Sequence, residues 1–146
     1  DNLFCMIKGY MDKKLLLKHL KTDIYCRIGV SKTHGVGVIA IKDIKKGINP
    51  FKSLSTEKDK IVTLTNTDLK DVNTEVKKII VDFFGNNNSY DVLYYGPNHL
   101  NISYYLNHSD KSNLDIVDTG NPYLEFITNR DIKKGEELLI NYVEYQ

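Results

Sequence analysis

DIKKGEELLINY, Asp131–Tyr142, reads as a turn that launches a strand: an acid, an apolar residue, two lysines and a glycine precede Leu138, Leu139 and Ile140. A glycine ending such a turn is free to take positive φ. The same five residues, DIKKG, stand at Asp43–Gly47 inside AIKDIKKGIN. A tandem duplication would extend the identity, yet GINPFKSL after the first copy shares little with GEELLINY after the second. A strand that leaves a sheet twice through similar exposed turns is the better explanation.

Working outward, NPYLEFITNR before the second copy alternates Leu124 and Phe126 against Glu125 and Thr128, a strand signature. Before the first copy, IYCRIGVSKTHGVGVIAI (Ile24–Ile41) is rich in β-branched residues and punctuated by Gly29, Gly35 and Gly37. It reads as two short strands joined by a turn. Between the copies, Val72, Val76, Ile79, Ile80, Phe83 and Phe84 recur at helical spacing over Asp71–Phe84, with Gly85 as the stop and Asn86–Ser89 as a loop. Residues 1–23 carry Leu3, Met6, Ile7, Leu15, Leu16 and Leu20 between lysines. They predict one or two helical segments, interrupted near Gly9, that pack on the domain and leave Lys8, Lys13, Lys14, Lys18 and Lys21 solvated.

Composition bounds the function. A chain of 146 residues, 41% hydrophobic and 27% charged, has material for one core. The net charge of +1 gives no global field for a polyanion, and no direct nucleic-acid site is evident. Two cysteines are too few for a disulfide framework or a Cys-based zinc site, which fits a reducing intracellular compartment, nuclear or cytoplasmic. No apolar run approaches the roughly 20 residues that cross a bilayer, and no signal-peptide pattern opens the chain, so no membrane partner is expected.

Three stretches can carry chemistry: HGVGV (His34–Val38), YYLNHSDKSN (Tyr104–Asn113) and GEELLINY (Gly135–Tyr142). Taken singly they say little. The Gly-x-Gly lacks the third glycine and the helix of a dinucleotide fingerprint. His108 has no second histidine at ligand spacing, so no metal site is expected. There is no serine nucleophile elbow and no partnered Cys and His.

Together and in this order, the three stretches resemble the SET-domain family of protein lysine methyltransferases, over about Ile24–Tyr145. HGVGVIAIKDIKKG is similar to the family's Gly-x-Gly, alternating strand and acid-Ile-x-x-Gly turn. YLNHSDKSN resembles Asn-His-Ser-Cys-x-Pro-Asn, and DIKKGEELLINY resembles acid-Ile-x-x-Gly-Glu-Glu-Leu-x-x-Asp-Tyr. In this family both halves carry such a turn, which accounts for the repeated pentapeptide. The departures are Asp110 for the Cys, Ser112 for the proline, Asn141 for the acid, and Tyr104 where Arg is frequent. The family's Cys joins three more in a zinc-bearing tail, and no Cys follows Cys26 here, so a compact form without that tail is expected.

The resemblance implies a mainly β, β-clip-like fold: small sheets around a pseudoknot, in which the segment ending at Tyr142 passes under the Asn107 loop. Residues 24–146 would form the domain, with a variable helical insert over about 55–100. It further implies in-line methyl transfer from S-adenosylmethionine, leaving S-adenosylhomocysteine, to a lysine of a protein or peptide such as a histone tail. Deprotonating that lysine costs roughly 4 kcal/mol at neutral pH, a cost an apolar channel lowers. By resemblance Tyr142 is the catalytic residue, its hydroxyl orienting the amine. Gly35, Val36, Gly37, Asn107, His108 and Tyr142 would hold the cofactor, with backbone approaching closely at the glycines. Tyr94, Tyr95 and Tyr105 are the candidate walls of the lysine channel, Tyr94 and Tyr95 the better ones, since Tyr105 aligns with a family aromatic that is usually core. An inactive SET-like domain serving as a protein-binding module is the alternative, and a small β-rich protein whose glycines and asparagines merely make turns is a further one.

Overall fold

The computed structural model describes residues 2–55, 60–86, 88–119 and 124–145. Along the chain run α1 (Asn2–Thr22), β1 (Cys26–Val30), β2 (Val36–Ala40), β3 (Ile61–Leu64), α2 (Thr74–Phe84), β4 (Gly85–Asn86), β5 (Ser89–Leu93), β6 (Asn107–His108), β7 (Leu114–Val117), β8 (Glu125–Thr128) and β9 (Glu137–Ile140). Among the described residues, no helix is long and apolar enough to cross a membrane.

The alternation read around Ile24–Ile41 produces an antiparallel hairpin, β1 on β2, in register from Cys26 opposite Ala40 to Val30 opposite Val36. Strand β9 adds antiparallel to β2, and β6 adds parallel to β9, giving the order β1-β2-β9-β6. Because side chains alternate across a strand, Val38, Ala40, Leu138 and Ile140 all turn to one face and are buried there with Ile44, Leu106, Leu114 and Ile132. Strands β7 and β8 form a separate antiparallel pair that delivers Leu114 and Phe126 to the same core.

Ile44 and Ile132, each 1% exposed, face one another in an antiparallel bridge with both N–H···O distances at 2.8 Å. Asp43 accepts from the Lys134 N–H and Asp131 from the Lys46 N–H, both at 2.8 Å. Gly47 and Gly135 close the turns at φ 88° and 89°. The two DIKKG turns are therefore reciprocal caps, and this is the physical reason one pentapeptide is used twice.

The Lys46 N–H, aided by the Lys45 charge and opposed by partial burial, holds the Asp131 carboxyl below the usual carboxylate range. A depressed folded-state value means that the contribution is complete above the ordinary range near pH 4 and is lost as pH falls through the lower folded value. In acid titrations followed by circular dichroism, Asp131→Asn is expected to remove part of the stability loss below about pH 4. An acid slope identical to that of the parent protein would refute this.

Residues 60–100 make a second small unit, the sheet β3-β5-β4 covered by α2, with its own core of Leu69, Ile80, Phe84, Val92 and Leu93. Helix α2 starts at Thr74, three residues later than the apolar spacing predicts, behind Asn73, whose side-chain oxygen caps the Glu75 N–H at 2.8 Å. Rings join the units: Phe83 lies 5.7 Å from Tyr105 and Phe84 lies 5.7 Å from Tyr104.

Gly85 ends α2 as expected, in extended geometry (φ −64°), and its missing Cβ matters because that atom would meet the Val81 carbonyl oxygen at 2.7 Å. Two expectations change. The expected loop at Asn86–Ser89 is the turn of a tight hairpin, with Gly85 opposite Tyr90 and Asn86 opposite Ser89; residue 87 lies outside the described residues. Finally, α1 is one helix running through Gly9, and instead of packing on the domain it exposes Leu3, Phe4, Met6, Leu15, Leu16 and Leu20. Its apolar residues, Leu15–Leu17 in succession, spread around the cylinder and leave no single stripe to bury. Its end is anchored, His19 to Asp23 at 2.8 Å and Asp23 to Lys52 at 3.9 Å.

Candidate functional site

Sheet order brings the three chemistry-bearing stretches together. Strand β2 begins within the Gly-x-Gly, just after Gly35, β6 carries Asn107 and His108, and β9 lies between them. The segment after β6 stays on β9: the Ser109 N–H reaches the Ile140 carbonyl at 2.9 Å and the Asn113 N–H reaches Leu139 at 3.1 Å. Asn113 is 1% exposed, and its amide donates to the Glu137 carbonyl and accepts from the Leu139 N–H, both at 2.8 Å. A buried amide satisfied on both ends in this way extends the ladder with a side chain.

Beyond β9 the chain turns into a short 3-10 segment, Tyr142–Tyr145. The Tyr142 N–H donates to His108 Nδ1 at 3.1 Å, and the two rings stack with centroids 5.6 Å apart. Since Nδ1 is an acceptor there, His108 carries its proton on Nε2, which faces the Asp110 carboxylate at 3.3 Å. Asp110 thus orients the imidazole. The Tyr142 hydroxyl donates to the Leu106 carbonyl. Partial burial pushes the phenol above its ordinary value, so the hydroxyl keeps its proton throughout the neutral range.

Asn107 is bound inward. Its Nδ2 donates to the Val36 carbonyl at 2.9 Å and to Glu137 Oε1 at 2.8 Å, with a longer approach to the His34 carbonyl at 3.5 Å. Both amide protons are thereby used within the protein, so the side chain braces β6 to the β1–β2 turn and to β9. The glycines have separate reasons. Gly35 sits at φ 61° with open space where a Cβ would stand, so its requirement is conformational. At Gly37 a Cβ would lie 2.0 Å from Glu137 Oε1, so the missing side chain makes room for that carboxylate.

The candidate channel tyrosines separate. Tyr105 is half-buried, packed on the first core, and adjoins Leu106, whose carbonyl receives the Tyr142 hydroxyl. Tyr94 and Tyr95 are exposed at the end of β5, edge to face with centroids 5.6 Å apart, with Lys60 over Tyr94 and His99 beside Tyr95. Burial pushes the Cys26 thiol up to about 11, which makes it an inert core residue. Among the described residues, no group of three or more His, Cys, Asp or Glu is placed to hold a metal.

Sequence reasoning missed Glu137, Asn113 and Ser31. The final asparagine of the Asn-His-Ser segment and the second glutamate of GEE were in view, but their partners lie far away in sequence.

A family model described as the SET domain matches residues 35–143. Among solved structures, the crystal structure of a Plasmodium falciparum protein provisionally named a histone methyltransferase shares 23% identity, covers 82% of this chain and 93% of that chain, and superposes with a TM-score of 0.48. A search of curated proteins gives no match. The family match runs from the Gly-x-Gly turn through the Asn-His-Ser segment to the residue after Tyr142, the same three stretches that meet along β9, and the chain belongs to the SET-domain family.

Proposed function

We propose that the protein is a lysine methyltransferase that moves a methyl group from S-adenosylmethionine to the ε-amine of a lysine in a protein or peptide. The observation that carries this reading is the fixed placement of Tyr142: its hydroxyl is held on the Leu106 carbonyl and its backbone on His108. A neutral phenol tied to a carbonyl offers an oxygen at a defined place, which is what alignment of a nucleophile requires.

The residues fit the cofactor. Gly35 leaves open space at a left-handed turn, Val36 is exposed beside it, and the rings of His108 and Tyr142 stack next to the Asp110 carboxylate, a surface suited to a compact cation. S-adenosylmethionine supplies a methyl on sulfonium sulfur; the C–S pair stays on sulfur as a C–N bond forms from the lysine lone pair. Gly35, Val36, Gly37, Asn107, His108 and Tyr142 would hold it, the Asn107 side chain as a brace. Of the three tyrosines we assign Tyr105 to the channel wall, since it adjoins the carbonyl that positions Tyr142.

The family and the name of the structural neighbour make a histone tail the first substrate to try. Two free cysteines suit a reducing compartment, nuclear or cytoplasmic. Incubation with methyl-labelled S-adenosylmethionine and histone or lysate proteins is expected to label lysine, and calorimetry to give saturable cofactor binding. Binding without label would favour the inactive binding module. No binding would sink the methyl-transfer reading.

A further inference from the structure

We propose that Glu137 is a positioning residue for methyl transfer, its carboxylate locking the β1–β2 turn to Asn107 so that both ligand-facing segments are presented as one surface. The proposal rests on the methyl-transfer reading and deepens it. Glu137 Oε1 accepts from Asn107 Nδ2 at 2.8 Å and Oε2 accepts from the Ser31 hydroxyl at 2.9 Å. Ser31, 8% exposed, in turn accepts the Thr33 and His34 N–H groups, each at 3.2 Å, so its own proton points to Glu137. The carboxylate thus ties together residues 31–34, 107 and 137, which come from three separate parts of the chain.

Proton direction shows why an acid is needed. Asn107 Nδ2 is a donor by nature, and Ser31 is made a donor by the two amides it accepts. Two donors converge on two oxygens, an arrangement a carboxylate satisfies and an amide cannot. Gly37 completes the fit, because any Cβ there would lie 2.0 Å from Oε1. The neighbouring glutamate behaves differently: Glu136 accepts from the Lys133 N–H at 2.9 Å and pairs with Arg130 at 3.1 Å, a local turn contact.

Glu137→Gln is expected to raise the KM and Kd for S-adenosylmethionine about tenfold or more, the size of one lost charge-assisted hydrogen bond. The effect on kcat should be smaller; the lost bond also lowers the thermal midpoint, and the rise in KM is the readout that a mere fall in folded fraction does not produce. A purely structural role would lower the midpoint and the active fraction and leave KM alone. Gly37→Ala should reproduce the defect, and Gly37→Ala in a Glu137→Ala background should add little, since the obstructing carboxylate is gone. Ser31→Ala, which retains the bond to Asn107, serves if Glu137→Gln does not fold; it should raise KM about threefold. A parent protein that binds the cofactor while Glu137→Gln and Ser31→Ala keep its KM overturns this proposal alone. A parent protein that binds none overturns both the proposal and the reading beneath it.

Discussion

Tyr142→Phe is expected to lower the rate of lysine methylation by about a hundredfold, while calorimetry shows cofactor affinity within about threefold of the parent. The substitution deletes one oxygen and keeps the ring that stacks on His108 and the backbone N–H that His108 accepts. What disappears is the hydroxyl held on Leu106, together with one donor for that carbonyl, a loss worth about 1 kcal/mol in stability. Stability and affinity therefore stay near their starting values and the change falls on the reacting amine. The loss should appear in single-turnover experiments as well as in kcat, because it concerns the chemical step. Equal single-turnover rates and equal product distributions in the two proteins would remove Tyr142 from the mechanism.

The second large effect is on folding. Ile132→Ala is expected to destabilise the domain by about 2–5 kcal/mol, a large part of the roughly 5–15 kcal/mol that holds such domains together. Ile132 is 1% exposed and faces an equally buried Ile44 across the bridge, so truncation opens a cavity between two turns that also cap one another. Ile44→Ala should cost a similar amount, and the double variant less than the sum, because the two cavities share a boundary. Val81→Ala, on the exposed side of α2, should change stability by less than about 0.5 kcal/mol and serves as the control. Urea midpoints decide the matter. A loss at Ile132 below about 1 kcal/mol would mean that the clasp is peripheral to stability.

The legible parts of this molecule are those where the cause is local. Alternation around Gly35 and Gly37 is enough for the β1–β2 hairpin, and apolar spacing is enough for α2. The meeting of the three motif stretches was legible through resemblance, and the sheet order shows them as neighbours. Strands β3, β5 and β7 were not legible. In β5, SYDVL, a serine and an aspartate interrupt the apolar pattern, and its partners rather than its composition make it a strand. The asparagine run around Asn86 looked like a loop for the same reason. Glu137 was hidden because the need for a carboxylate arises from Ser31 and Asn107, one on either side in space and distant in the chain. The exposure of α1 was missed because individual leucines promise burial, whereas burial needs them aligned on one side.

The reciprocal clasp of the two DIKKG turns bears on how the polypeptide is connected. The segments it joins are already held by β2 beside β9 and by Asn107 reaching the Val36 carbonyl, while the unit at residues 60–100 has a core of its own. The seam is consequently written in matching pieces on the early and late parts of the chain, with covalent continuity supplied by a detour. A polypeptide cleaved within that detour would retain, on each fragment, the surface that recognises the other, which makes this fold a natural substrate for split-protein reassembly.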